Sequence, residues 1–208
     1  MYDVEAFREE RVEVLHALIK AHPLATLVTT TAQGLEANHI PLLMDPEPAP
    51  YGTLRGHLAR ANPVWRTFNS DTEVLAVFQG AQGYVTPSWY PSKAQHGKVV
   101  PTWNYAVVHA HGLLNIIDDA AWLRKLVTRL TESQESPRDK PWQVTDAPPD
   151  YIDTMLKAIV GIEIPLSRLQ GKWKLSQNRL PQDRHGVIEG LETRGDEASL
   201  AMLNAMRR

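Results

Sequence analysis

Arg55, His57 and Arg60 stand close together in the string GTLRGHLARANP. Side chains of an extended strand alternate between faces, so Arg55 and His57 share one face and Arg60 lies just beyond the strand end. A guanidinium offers a planar fork of donors that matches phosphate oxygens, and a helix start at Asn62-Pro63 adds backbone N–H groups of the same sign. The set suits an anion, although one such Arg alone is more often a solvated or ion-paired surface residue.

Two aromatic segments follow. GYVTPSWYPSK sets Trp89 and Tyr90 beside Ser88, Ser92 and Lys93, and VPTWNY adds Thr102, Trp103, Asn104 and Tyr105. Rings next to amide and hydroxyl groups can stack on a planar heterocycle while reading its polar rim; equally, they can anchor a loop in the core. A third string, KWKLSQNR, gathers Lys172, Lys174, Ser176, Gln177, Asn178 and Arg179 near the end of a strand. It reads either as a second anion-binding edge or as a solvated face. From Gly52 to Tyr105 the chain therefore reads as a binding surface for something flat and anionic.

Other chemistries find little support. The glycine-rich phosphate cradles GxGxxG and GxxxxGK[ST] are missing, as are GxSxG and HExxH. His109 and His111 share a strand face, half of a metal site, but no third ligand falls at recognisable spacing and no metal is expected. Cysteine is absent, which removes disulfides, thiolate catalysis and zinc-thiolate sites together. A net charge of −2 gives the chain no general attraction to nucleic acid or anionic membranes, and neither a helix-turn-helix nor a basic helix is visible.

The elements that must position these residues follow from hydrophobic period and punctuation. Asp3 is the expected cap of a first helix ending near Ala21, before His22-Pro23. Leu24 to Thr31 and Leu35 to Met44 read as a hairpin, Tyr51 to Leu58 as a third strand, and Glu73 to Gln79 as a compact fourth. Tyr84 to Lys98 reads as a long loop, Val107 to Ile117 as a strand, and Asp119 to Glu135 as a helix with Leu123, Leu126, Val127 and Leu130 on one face. Asp150 to Ala158 is expected to be helical. Val160 to Arg168 is expected as a strand, with Pro165 pointing to an edge or bulge, and Leu191 to Arg208 as a final helix. Strands joined by short turns argue for an antiparallel sheet or barrel rather than βαβ units.

The 208 residues, with 43% hydrophobic and 22% charged side chains, fit one soluble domain with a helical extension from about residue 181. The N-terminus MYDVEAFREE carries acids where a signal peptide has basic residues, and no apolar run approaches the roughly 18 residues of a membrane span. A cytoplasmic location is expected, with no membrane partner.

In order and spacing, GTLRGHLARANP, GYVTPSWYPSK, VPTWNYAVVHAHG and GKWKLSQNR resemble the PaiB family of FMN-binding negative transcriptional regulators. The likeness runs from the first hairpin to about Gly190. It implies an α+β, mainly β fold: an antiparallel split β-barrel of the pyridoxamine-phosphate-oxidase-like, FMN-binding type with peripheral helices, assembled as a homodimer with FMN at the subunit interface. It also implies that Asn38, His39 and Ile40, then His57, Ala59 and Arg60, hold the phosphate and ribityl groups. Thr102, Trp103, Asn104, Lys174 and Gln177 of the second subunit would complete the pocket, with Lys93 a further candidate. DNA is implied as a partner of a regulator, although no residue here supplies a DNA-reading motif. No dedicated catalytic residue is identified. Because flavin carries its own redox chemistry, an FMN-dependent oxidoreductase or flavin reductase stays open. So does a haem-binding or haem-degrading protein using His109 or His185.

Overall fold

The computed structural model describes every residue except Asp3 and Arg208, so the Asp3 cap lies outside the described residues. In chain order the strands are β1 (Arg8–Glu9), β2 (Leu24–Thr31), β3 (Gly34–Pro41), β4 (Leu43–Asp45), β5 (Thr53–Ala59), β6 (Val74–Val85), β7 (Thr102–Gly112), β8 (Asn115–Ile117) and β9 (Ile159–Lys174). The helices are α1 (Val12–Ala21), α2 (Val64–Thr67), α3 (Ser92–His96), α4 (Ala120–Glu135), α5 (Pro149–Lys157), α6 (Pro181–Arg194) and α7 (Glu197–Arg207). The strand order is β3-β2-β6-β7-β9-β5-β4, with β1 and β8 also pairing with β9. The pairings β1–β9, β2–β3, β2–β6, β4–β5, β5–β9 and β8–β9 are all antiparallel.

Two compact units share the chain. Unit 1 comprises Met1–His22, Phe78–His109 and Gln170–Arg208; unit 2 comprises Pro23–Val77 and Ala110–Leu169. Strands β6, β7 and β9 each begin in one unit and end in the other.

In unit 2 the hairpin forms where its β-branched run and Gly34 turn place it, with Leu24 opposite Pro41 and Thr31 opposite Gly34. The expected second arm, however, is cut at Leu42, whose N–H bonds to Pro23 O; the remainder is β4, which leaves β2 and pairs with β5. Alternate residues Ala25, Leu27, Leu54, Ile162 and Ile164 are buried. Asp119 caps α4 by accepting the Trp122 N–H at 2.6 Å, and Leu123 joins Val144, Ile152 and Leu156 in a satellite cluster. The helix has the expected span, with Leu123 and Leu126 buried and Val127 and Leu130 half-buried. Strand β9 is longer than expected and is not an edge. Pro165 is tolerated opposite Thr53 because the bond next to it runs from Leu166 N–H to Gly52 O at 2.9 Å, which makes Thr53–Pro165 a non-hydrogen-bonded pair that needs no donor from proline toward β5.

In unit 1 the first helix begins at Val12 instead of near Asp3, because Arg8 and Glu9 pair with Lys172 and Gly171 on β9. A Cβ at Gly171 would come within 2.3 Å of Leu15, so glycine allows α1 to settle on that strand. Much of the expected 84–98 loop is ordered: β6 runs on to Val85, and Ser92–His96 is helical. The expected final helix is two helices with different bounds, broken at Gly195, which holds φ +63°. Val187, Leu191, Met202, Leu203 and Met206 of these helices form a core with Val85, Tyr90 and Leu175. Among the described residues no helix is long and apolar enough to cross a membrane.

Candidate functional site

The sequence-predicted residues fall on two surfaces, one in each unit. In unit 2, the alternation of β3 exposes His39, half-buries Asn38 and buries Ile40. Asn38 accepts the Asn62 side-chain amide at 2.7 Å, and Asn62 in turn accepts the Val64 N–H at 3.0 Å, which ties β3 to the start of α2. On β5, His57 is half-buried, and its Nδ1 is closed from solvent with no hydrogen-bond partner among the described residues. Burial holds the imidazole below its ordinary pKa, so at neutral pH it is uncharged. Ala59 is exposed at the end of the same strand.

Arg60 is already engaged. Its guanidinium grips both carboxylate oxygens of Asp118, at 2.8 and 2.5 Å, and donates to the carbonyls of Lys157 and Ile159, each at 2.9 Å. The hydrogen-bonded pair raises the Arg60 pKa and lowers that of Asp118. An anion at this guanidinium would have to displace a bidentate carboxylate. Arg55 is similarly committed, bridging Glu163 at 2.6 Å and Asp45, which also binds Arg129.

In unit 1, Tyr84 of β6 and Trp103 of β7 form a tilted ring pair, centroids 6.3 Å apart, and remain 44% and 50% exposed. Trp103 Nε1 donates to Gln82 at 3.1 Å, which fixes the indole. Beside it, Lys174 Nζ donates to Thr102 Oγ1 and, at 2.7 Å, to Trp103 O. Behind it, buried Asn104 donates to Ser176 Oγ at 2.9 Å, while Ser176 adopts φ +64°, a left-handed conformation unusual for a residue with a Cβ. Gln177 closes the turn by accepting the Leu175 N–H at 2.6 Å and donating to Trp173 O at 2.5 Å. Asn104, Ser176 and Gln177 thus build the turn, and Lys174 is what the turn presents.

The electrostatics of this turn are one-sided. Lys172 is buried, donates to Tyr2 O at 3.0 Å and lies over the rings of Tyr2 and Tyr105. Arg179 lies over Tyr90, 5.0 Å from its centroid. Burial first, then repulsion from Arg179 and Lys172, holds the Lys174 ammonium below the usual lysine pKa. Among the described residues none of the three pairs with a carboxylate. Mutually repelling cations beside an exposed aromatic pair suit an anionic group attached to a flat ring. The unpartnered His57 nitrogen in unit 2 suits a ligand that brings polar ring atoms. On both counts the donor set fits a phosphorylated heterocycle.

The PSWYPSK loop proves to be an anchor. Tyr90 is buried, and Trp89 lies against α6, where a Cβ at Gly190 would come within 2.3 Å of the indole and Arg194 sits 5.4 Å from the ring. Buried Ser92 gives both its N–H and its hydroxyl to Asp183, at 3.1 and 2.7 Å. Lys93 is exposed and donates to Ser88 at 3.2 Å. His185 is an exposed residue of α6 paired with Glu189 at 3.1 Å, and His109 remains half-buried on β7. Among the described residues no group of three or more His, Asp or Glu side chains is placed to hold a metal ion. Sequence reasoning missed Tyr84 as Trp103's partner; the alternation Gln82–Tyr84 would have signalled it had β6 been carried past Gln79.

Comparison with known proteins agrees with this chemistry. The family model described as "Putative FMN-binding domain" matches residues 1–168. Protease synthase and sporulation protein PAI 2 of Bacillus subtilis is 33% identical over 206 residues, covering 99% of this chain and 96% of that protein. An uncharacterized protein of Emericella nidulans is 36% identical, covering 100% of this chain and 96% of the relative. Among solved structures, the flavocytochrome Anf3 of Azotobacter vinelandii has a TM-score of 0.59 at 12% identity, covering 83% of this chain and 72% of that one. That likeness concerns the fold alone, and it bears out the antiparallel split barrel expected from the sequence.

Proposed function

The chain belongs to the PaiB family of FMN-binding proteins, with FMN as its cofactor, and from that premise we propose a negative transcriptional regulator whose flavin is held at a homodimer interface. Asn38, His39, Ile40, His57, Ala59 and Arg60 form the wall given by one protomer. Thr102, Trp103, Asn104, Lys174 and Gln177 form the wall given by the second, with Lys93 at its rim.

The observation that carries this reading is the cationic turn: Lys174, flanked by Lys172 and Arg179 and matched by no carboxylate among the described residues, takes the phosphate. Trp103 with Tyr84 faces the ring system, and the neutral His57 imidazole meets its polar rim. Asn104 and Gln177 act indirectly by holding the turn, and Arg60 by fixing the end of β5 through Asp118. When bound, FMN supplies the electron-accepting chemistry; the side chains bind and orient it. A second copy is supported by the apolar surface left open on the first hairpin, where Leu24 and Leu35 are 60% and 79% exposed. The regulatory half of the proposal comes from the family.

The test is a promoter-protection assay on purified protein whose flavin content and mass in solution are known. A yellow dimer that protects promoter DNA upstream of its own gene, differently with and without FMN, supports the proposal. A yellow dimer that protects no DNA and oxidises NAD(P)H steadily would replace the regulator with an oxidoreductase.

A further inference from the structure

Within unit 1, helices α1 and α7 and the end of β9 enclose a cleft of about 330 Å³, within the size range of small-molecule sites. The space exists because much of its lining carries little or no side chain: Ala17, Gly80, Ala81, Ala106, Ala201 and Ala205. It is not slack packing. At its edge α1 and β6 are in such close contact that a Cβ at Gly80 would meet Leu18 at 3.0 Å. Val14, Leu18 and Leu175 add an apolar floor.

The rim is cationic. Arg8, Arg11 and Arg184 line the cleft with Glu9, and Arg8 also pairs with Glu10 at 3.5 Å. Glu9 is bound by Arg11 through two side-chain bonds, at 2.9 and 2.6 Å, so its charge is answered. Arg184 is half-buried and spends one nitrogen on Met206 O at 2.6 Å, with no carboxylate partner among the described residues. Of the residues named for the flavin wall, Gln177 alone also lines the cleft. Ala106 is buried on β7, and the strand's alternation puts it on the face opposite Trp103 and Tyr105.

We propose that this cleft between α1 and α7 is a second ligand site, specific for a small organic carboxylate with an apolar tail. The Arg184 guanidinium at the rim takes the carboxylate, and the alanine-lined interior takes the tail. Occupancy bridges both terminal helices. Since α7 packs with α6 in one core and α6 holds Trp89, a bound carboxylate stabilises the helices that anchor the 87–90 turn. That makes it an effector site rather than part of the flavin surface.

Calorimetric titration of the FMN-loaded full chain with octanoate and with octanol tests the proposal. Octanoate should bind saturably and at least ten-fold more tightly than octanol. Ala201→Phe and Ala17→Phe, both at exposed helix positions that line the cleft, should each weaken octanoate at least ten-fold while flavin content and far-ultraviolet circular dichroism stay unchanged. No saturable octanoate binding, equal affinity for octanol, or binding that survives both substitutions would overturn it.

Discussion

Arg60 and Asp118 form a bidentate pair at 2.8 and 2.5 Å, and that pair decides how the most conspicuous basic residue of the sequence is used. Sequence spacing offers Arg60 as a phosphate ligand, whereas the fold brings to it an acid distant in the chain. Lys174 has no such acid among the described residues. Anion affinity therefore depends more on Lys174 than on Arg60. Lys174→Ala is expected to weaken FMN by about 1.5–3 kcal/mol, the range for a charged hydrogen bond, and Arg60→Ala by less, with a lower melting temperature. Fluorescence titration of FMN with both variants checks the order; a larger loss for Arg60→Ala would return the phosphate to Arg60.

The same lysine sets a pH dependence. Its depressed pKa means that the ammonium is lost at lower pH than for an ordinary lysine, so FMN affinity should fall as pH rises through that value. Lys174→Arg, whose charge persists, should flatten the alkaline limb of a titration series. A limb that keeps its shape in the variant would assign it to another group.

Stability responds to pH through His57 and His111, both held below the ordinary histidine pKa chiefly by burial. Between the folded and unfolded values the unfolded chain binds more protons, so stability rises with pH across that interval. On acidification it is lost from about pH 6.5 downward, as the pH falls from the unfolded value toward the lowered folded ones. The depressed carboxyls of Glu9, Asp118 and Asp196 act in a more acid range. Urea midpoints at pH 7.5 and 5.5 should therefore differ, and the difference should shrink in the His57→Gln, His111→Gln double variant.

Trp89 and Gly190 were fitted to each other at the loop–helix contact. Gly190→Ala forces a methyl group to within 2.3 Å of the indole, and Gly186→Ala drives one to within 1.9 Å of Trp89 O. Each is expected to cost about 1–3 kcal/mol by overpacking. Because the obstacle at Gly190 is the indole itself, Gly190→Ala should cost less in a Trp89→Leu background, read as a coupling in urea denaturation. Purely additive costs would mean that the contact is slack.

Ser176 carries strain and a bond together. Ser176→Ala keeps the left-handed backbone and strands buried Asn104, a loss of about 1–3 kcal/mol. Ser176→Gly loses the same bond but relieves about 1 kcal/mol of backbone cost. The glycine variant should therefore be the more stable of the two in urea.

What could be read in the sequence follows the range of the signal. Helix α4 was legible because its cap, Asp119, and its buried face, Leu123 and Leu126, lie within a few residues of one another. The β2–β3 hairpin was legible for the same reason. The full lengths of β6, β7 and β9 were not, since their added residues, Tyr84 and Trp103 among them, expose side chains where a core pattern would show apolar ones. The two-helix C-terminus depends on the backbone of Gly195, which the surrounding helix-forming residues mask. At the site, the closeness of Lys172, Lys174 and Arg179 was visible in KWKLSQNR. The pairing of Arg60 with Asp118, and of Trp89 with α6, joins residues far apart in sequence, and only the fold brings them together.

The claim that FMN is held between two protomers is tested most directly by mixing two disabled variants, Ala59→Trp to block one wall and Lys174→Glu to reverse the charge of the other. Neither alone should bind FMN. After unfolding and refolding in equal amounts, about half of the dimers pair one variant with the other and carry one intact site, restoring about a quarter of the wild-type flavin content. A mixture that binds no more FMN than its separate components would contradict a shared site.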